Sequence, residues 1–323
     1  MTFDKPTARL QALLDELVAE GAPSALAELR DAHGTWVAGS GVAELGAARP
    51  VDPSGWFRIG SVTKTFTATV VLQLVGEGRV GLDDTVERWV PDVVPGADRI
   101  TVRQLLDHTS GLYNYTRDLT PRGILRDRFK RWTPSEVILP ACRRGPDFPP
   151  GTARAYNNTA FVLLGMVIEK LTGHPYGVEI EQRILRPLDL RRTRDDCERL
   201  PDPHARGYLA VDGELVDVSA CNSSQAGAAG GMVSTAADLN RFVTELLTGT
   251  LLAAPERREM ETGLGITGYT LPTGVTVLGK DGGFHGYRTW TFHTARHLTV
   301  SMTFGLTGGP TTEQFLSRAA DLL

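Results

Sequence analysis

Strand-like alternation is confined to the two ends of this chain and helical periodicity fills the middle, so one sheet must be assembled from segments nearly the whole sequence apart. Residues 24–45 suggest two strands with a turn near His33-Gly34, and 264–270 and 274–279 suggest two more. The runs 284–294 and 297–305 extend the sheet, and 312–323 reads as a closing helix. An amphipathic helix is expected over 6–20, with Leu10, Leu13, Leu14, Leu17 and Val18 on one side and Asp15, Glu16 and Glu20 elsewhere. Between the ends, 61–225 is mostly helix and loop, punctuated by turns at 146–151 and 201–203. The expected organisation is an α/β domain from 1–60 together with 226–323, and a mainly helical domain over 61–225. With 323 residues and 41% hydrophobic content, the chain can bury a substantial core as one large domain or two closely joined ones.

The chemistry-bearing signal is Ser61-Val62-Thr63-Lys64, opening a strongly apolar helical run. Residues three apart share a helix face, so the Lys64 amine can reach the Ser61 hydroxyl, and a first-turn position favours negative charge on Oγ. A helix-capping serine beside a solvent-facing lysine would look the same. Two further segments weigh against that reading. Tyr156-Asn157-Asn158 follows the turn-rich 148–151 and precedes a helical run, where a phenol and an amide can face a cleft. Lys280-Asp281-Gly282 stands between two strand-like runs, and lysine occurs only at Lys5, Lys64, Lys130, Lys170 and Lys280.

Ser-x-x-Lys, Tyr-x-Asn and a third, lysine-led element, which the family carries on a strand as Lys-Thr-Gly or His-x-Gly, in this order resemble the penicillin-recognising serine enzymes: serine DD-peptidases, class C type β-lactamases and their esterase and acyltransferase relatives. The likeness runs through 57–60 (FRIG), 101–115 (TVRQLLDHTSGLYNY), 156–173 (YNNTAFVLLGMVIEKLTG), 230–242 (GGMVSTAADLNRF) and 263–265. It implies a β-lactamase/DD-peptidase-like fold, α/β plus all-α: an antiparallel sheet flanked by helices, joined to a helical domain, with the active site between them. Ser61 is then the nucleophile that forms an acyl-enzyme. Lys64 or Tyr156 takes its proton, with Tyr156 partly phenolate if Lys64 and Lys280 are both cationic. Asn158 orients Lys64 and the substrate amide, and the backbone N–H groups of Ser61 and Gly283, beside Gly282, hold the oxyanion. Asp281 departs from the family pattern, which has a hydroxyl there. It is expected to repel a substrate carboxylate and favour a neutral or cationic group beside the scissile bond, unless it turns away to pair with Arg288.

These motifs predict a serine hydrolase or transacylase acting on a small amide or ester. The alternatives are a D-alanyl-D-alanine carboxypeptidase, a β-lactamase and an inactive penicillin-binding-type sensor. A net charge of −4 argues against nucleic acid and anionic membranes as partners, leaving a small molecule or short peptide, with an amine as a second acceptor. The N-terminus lacks the basic start and unbroken apolar core of a secretory signal, which points to the cytoplasm and to small-molecule metabolism. Cys142, Cys197 and Cys221 have no zinc or redox spacing, the seven histidines form no metal pattern, and no glycine-rich phosphate loop opens a helix, so no cofactor is expected. The basic segment 117–131 reads as a solvated surface, or else as a cover over the cleft able to hold an anion.

Overall fold

The computed structural model describes residues 6–304 and 309–323. The first helix, α1 (Pro6–Ala19), buries Leu10, Leu13, Leu14 and Leu17, the face expected from their spacing. It leads into β1 (Ser24–Asp31) and β2 (Gly34–Gly41). The central helix α2 (Thr63–Gly76) buries nearly every residue from Thr63 to Leu74. Its threonines are compatible with that burial because their hydroxyls find carbonyls: Thr65 bonds to Gly265 at 2.8 Å and Thr67 to Ala228 at 2.8 Å. Helix α3 (Asn158–Thr172) is capped by the Asn157 side chain at its start and by left-handed Gly173 at its end. Helix α4 (Ala236–Leu247), strands β3 (Thr267–Thr270), β4 (Thr276–Phe284), β5 (Tyr287–His293) and β6 (His297–Thr303), and helix α5 (Thr312–Ala319) complete the frame.

The six strands form one antiparallel sheet in the order β2-β1-β6-β5-β4-β3. The N-terminal hairpin meets the C-terminal strands through β1 and β6, with Ala27 opposite Val300. Helices α1 and α5 cover one face, where Trp290 and Phe315 stack with ring centroids 4.3 Å apart. Helix α4 packs against β1, β5 and β6, and its buried Asn240 bonds to the Glu28 carbonyl at 3.0 Å and accepts from Thr299 at 2.8 Å. The larger core runs from α4 through α2 into the helical middle, where Phe66 and Phe242 stack at 3.7 Å. A division into 1–60 with 226–323 against 61–225 is therefore proposed as two halves sharing that core.

Three boundaries differ from expectation. The Lys280-Gly283 segment lies on a strand, as the resemblance implied, but it does not separate two strand-like runs: it continues β4, which pairs with β5 from Leu278–His293 to Phe284–Tyr287. The turn falls instead at His285-Gly286, with Gly286 at φ +83°. The strand expected over 264–270 begins only at Thr267, and the middle contains a two-stranded sheet over Tyr208–Val211 and Glu214–Asp217. The expected run 297–305 ends as a strand at Thr303, and its last residue lies outside the described residues. Among the described residues, no helix is long and apolar enough to cross a membrane.

Candidate active site

Ser61 lies in a tight turn, Gly60–Val62, that runs directly into α2. That turn places Lys64 beneath Ser61, with Nζ 3.2 Å from Oγ. The Lys64 side chain is fully buried and also donates to Asn158 Oδ1 at 2.7 Å and to the Ala229 carbonyl at 2.5 Å. Burial, then the charge of Lys280, pushes its pKa far below the ordinary lysine value, with Asp281 pulling the other way. A neutral amine has two N–H groups and one lone pair. Asn158 Oδ1 and the Ala229 carbonyl can only accept, so they take the two N–H groups and leave the lone pair facing the Ser61 hydroxyl.

Tyr156 precedes α3 and places its hydroxyl 2.6 Å from Ser61 Oγ. The residue is 42% exposed and lines the cleft, whereas its hydroxyl end lies among Ser61, Lys64 and Lys280. Burial raises the phenol pKa well above its usual value, against the lowering effect of the Ser61 hydrogen bond. The raised pKa runs against the partly ionised Tyr156 expected from the two lysines, and the phenol lies at donor distance from Ser61 Oγ. Asn158 is held in turn, because its Nδ2 donates to Asn114 Oδ1 at 3.2 Å and to Thr116 Oγ1 at 3.1 Å. That arrangement fixes Oδ1 toward Lys64.

Strand β4 forms the opposite lip. A Cβ on Gly282 would lie 2.0 Å from the Ile59 carbonyl and 2.8 Å from Ser61 N, and one on Gly60 (φ +50°) would lie 2.5 Å from the Gly283 carbonyl. The pair of glycines therefore marks a close backbone approach, which brings Gly283 beside Ser61. Lys280 Nζ sits 5.1 Å from the Tyr156 ring centroid and 3.7 Å from Asp281 Oδ1. Asp281 does not face a substrate unopposed: Arg288, from β5, holds its Oδ2 at 2.9 Å. Of the two outcomes expected for Asp281, the pairing with Arg288 is the one observed, and the arginine arrives from the neighbouring strand across the 281–290 and 283–288 register.

The cleft has a volume of about 770 Å³ and is lined by Ser61, Tyr156, Lys280 and Asp281, by Gly282 and Gly283, and by residues that sequence reasoning did not single out. Of these, Arg154 and His108 matter most. No residue of the basic segment 117–131 lines it; Arg117, Arg122 and Arg131 pair with Asp147, Asp212 and Asp196 on the surface. His108 stacks near Tyr156 at 4.6 Å, and its pKa is pushed down by burial and by the neighbouring cations Lys280 and Arg154. His285 is pushed down to about 4, by burial and then by Arg58. Between pH 6.5 and these lowered pKa values the folded protein binds fewer protons than the unfolded chain. Stability from these groups is therefore complete above pH 6.5 and falls as pH drops toward 4. The melting temperature should decline steadily across that window in calorimetry, and a flat profile would refute the assignment.

A hydroxyl hydrogen-bonded to a buried amine of lowered pKa and to a phenol of raised pKa, beside a backbone cradle, gives a fold and site of the serine-hydrolase class that acts on amide or ester bonds. The chain belongs to the Beta-lactamase family, whose model matches residues 10–322. Among solved structures, a D-stereospecific amidohydrolase from Streptomyces sp. is 39% identical, covers 96% of this chain and 97% of its own, and superposes with a TM-score of 0.88. A D-amino acid amidase from Ochrobactrum anthropi SV3 is 28% identical, with 99% and 98% covered and a TM-score of 0.88. Penicillin-binding protein 4 of Amycolatopsis lactamdurans is 34% identical over 221 residues, 63% of this chain and 54% of that protein. The chain spans about half the length of the curated relatives it matches, or less.

Proposed function

We propose that this protein hydrolyses small amides, and esters of the same shape, through an acyl-enzyme on Ser61, with D-configured amino acid amides as the substrate class. The observation that carries the reading is the continuous chain from Tyr156 OH to Ser61 Oγ to Lys64 Nζ, at 2.6 and 3.2 Å. The neutral Lys64 amine takes the Ser61 proton as Oγ attacks the carbonyl carbon. The oxyanion is held by the N–H groups of Ser61 and Gly283, donors worth roughly 3 kcal/mol each when preorganised. Tyr156 then gives its proton to the departing nitrogen as the C–N bond breaks, and recovers one from the Lys64 ammonium by way of the shared hydrogen bonds. Water repeats the sequence in reverse to release the acid. An amine in the same position would capture the acyl group instead, so transfer is available to the same residues. The substrate class is supported by the two amidases, whose alignments cover nearly all of this chain.

The test is intact-protein mass spectrometry with an activated ester and a penicillin, alongside ammonia release from matched D- and L-amino acid amides. An adduct that vanishes in Ser61→Ala, with faster turnover of the D amides, is the expected result. Labelling that persists in Ser61→Ala would remove the nucleophile, and faster L turnover would remove the substrate class.

A further inference from the structure

The reaction uses the Ser61 end of the cleft, but the wall built from residues 107–108 and 154–157 presents donors that it does not use. His108 is 7% exposed, and its Nδ1 accepts the Asn157 N–H at 3.2 Å. The neutral ring therefore carries its proton on Nε2. No acceptor meets that N–H among the described residues, although His108 lines the cleft. Arg154 lines the same wall, anchored by Nε on the Asp107 carbonyl at 3.0 Å, and no carboxylate pairs with it among the described residues. A further backbone bond, Ala155 N–H to the His108 carbonyl at 3.0 Å, fastens the two segments together. The donors are thus positioned before any substrate arrives. Around the cleft Arg154, Lys280 and Arg288 face one carboxylate, Asp281, which Arg288 and Lys280 already share.

Resting on the hydrolase reading above, we propose that His108 and Arg154 form an anion subsite that selects acyl donors with a side-chain carboxylate, such as an amide of an acidic D-amino acid, over their neutral isosteres. A carboxylate takes one oxygen to the His108 N–H and the other to the Arg154 guanidinium, a charge-assisted bond at the solvent-open edge of the cleft, where Arg154 is exposed. Both residues are specificity determinants and take no part in bond breaking.

The p-nitroanilides of D-glutamate and D-glutamine differ in charge at nearly constant shape, so the ratio of their kcat/KM values within one protein isolates the subsite. At low ionic strength the glutamate compound should be favoured by about tenfold or more, with the ratio falling as salt is added. Arg154→Gln should bring the ratio to within about threefold of unity, and Arg154→Lys should restore part of it, since the charge returns without the planar fork. General damage to the enzyme cancels in the ratio. Direct titration of Ser61→Ala with D-glutamate and D-glutamine reads the same preference without turnover. A ratio near unity in the unmodified enzyme, or one unchanged in Arg154→Gln, overturns the subsite while Ser61-dependent turnover leaves the hydrolase reading standing. If neither anilide reacts and Ser61 is never acylated, the hydrolase reading falls, and the titration still decides for or against the subsite.

Discussion

Lys64→Met should lower kcat/KM by about 10³ and Tyr156→Phe by about 10², and the double variant should lose far less than the product. The inequality follows from the geometry. In the proposed mechanism Lys64 is the proton acceptor, 3.2 Å from Ser61 Oγ, whereas Tyr156 donates to the same oxygen at 2.6 Å and is needed only when the leaving nitrogen departs. Once the acceptor is gone, the donor has little left to assist. The pH profile follows the same logic. The amine must be unprotonated, so kcat/KM should hold above the depressed Lys64 pKa and fall as pH drops through it. Lys64→Met should abolish that limb. The slope of stability against pH between neutrality and 10.5 should also flatten in the variant relative to the parent. A lysine whose pKa is lowered by folding makes the folded protein bind fewer protons than the unfolded chain, so this group penalises the fold below the ordinary pKa of 10.5, and methionine removes the penalty. Additive losses in the double variant, or an unchanged slope of stability against pH in Lys64→Met, would contradict a neutral buried base.

The parts of the site legible in the sequence are those where chemistry demands a residue type at a fixed spacing. Ser61 and Lys64 share a helix turn, and Tyr156 and Asn158 flank the start of α3, so four of the functional side chains could be named from local pattern. The residues that hold them could not. Lys64 is gripped by the carbonyl of Ala229, 165 positions away, and any residue type can supply a carbonyl. Asn114, which fixes Asn158 through Nδ2, belongs to a stretch visible only as general likeness. His108 takes a left-handed backbone (φ +67°) and enters the cleft wall through contacts with residues nearly fifty positions on. The ends of the sheet were legible because alternation is a local property. The course of β4 was not, since a glycine pair signals a turn and a close backbone approach equally well, and here the approach is what the fold requires.

Gly282→Ala should cost about 10² or more in kcat/KM and about 1–3 kcal/mol of stability, the usual range for overfilling a closed contact. The added methyl would sit 2.0 Å from the Ile59 carbonyl, 2.8 Å from Ser61 N and 3.0 Å from Val62 N, all backbone atoms of the turn that holds the nucleophile. No side chain can swing aside to relieve such a contact, so either β4 or the Gly60–Val62 turn must retreat. Ser61 Oγ would then move relative to Lys64 and Tyr156, and the two N–H groups proposed for the oxyanion would separate. Gly283→Ala is the matched control. Its Cβ would come no closer than 3.8 Å to Arg288 Nη1, and its backbone N–H is retained. It should remain folded and active within about tenfold of the parent, because a methyl there fills open cleft rather than backbone. Kinetics and calorimetry on the two alanine variants therefore separate a requirement for close approach at one position from a general intolerance of the strand. Equal losses in both would mean that the strand-to-turn contact does not set the geometry of the nucleophile.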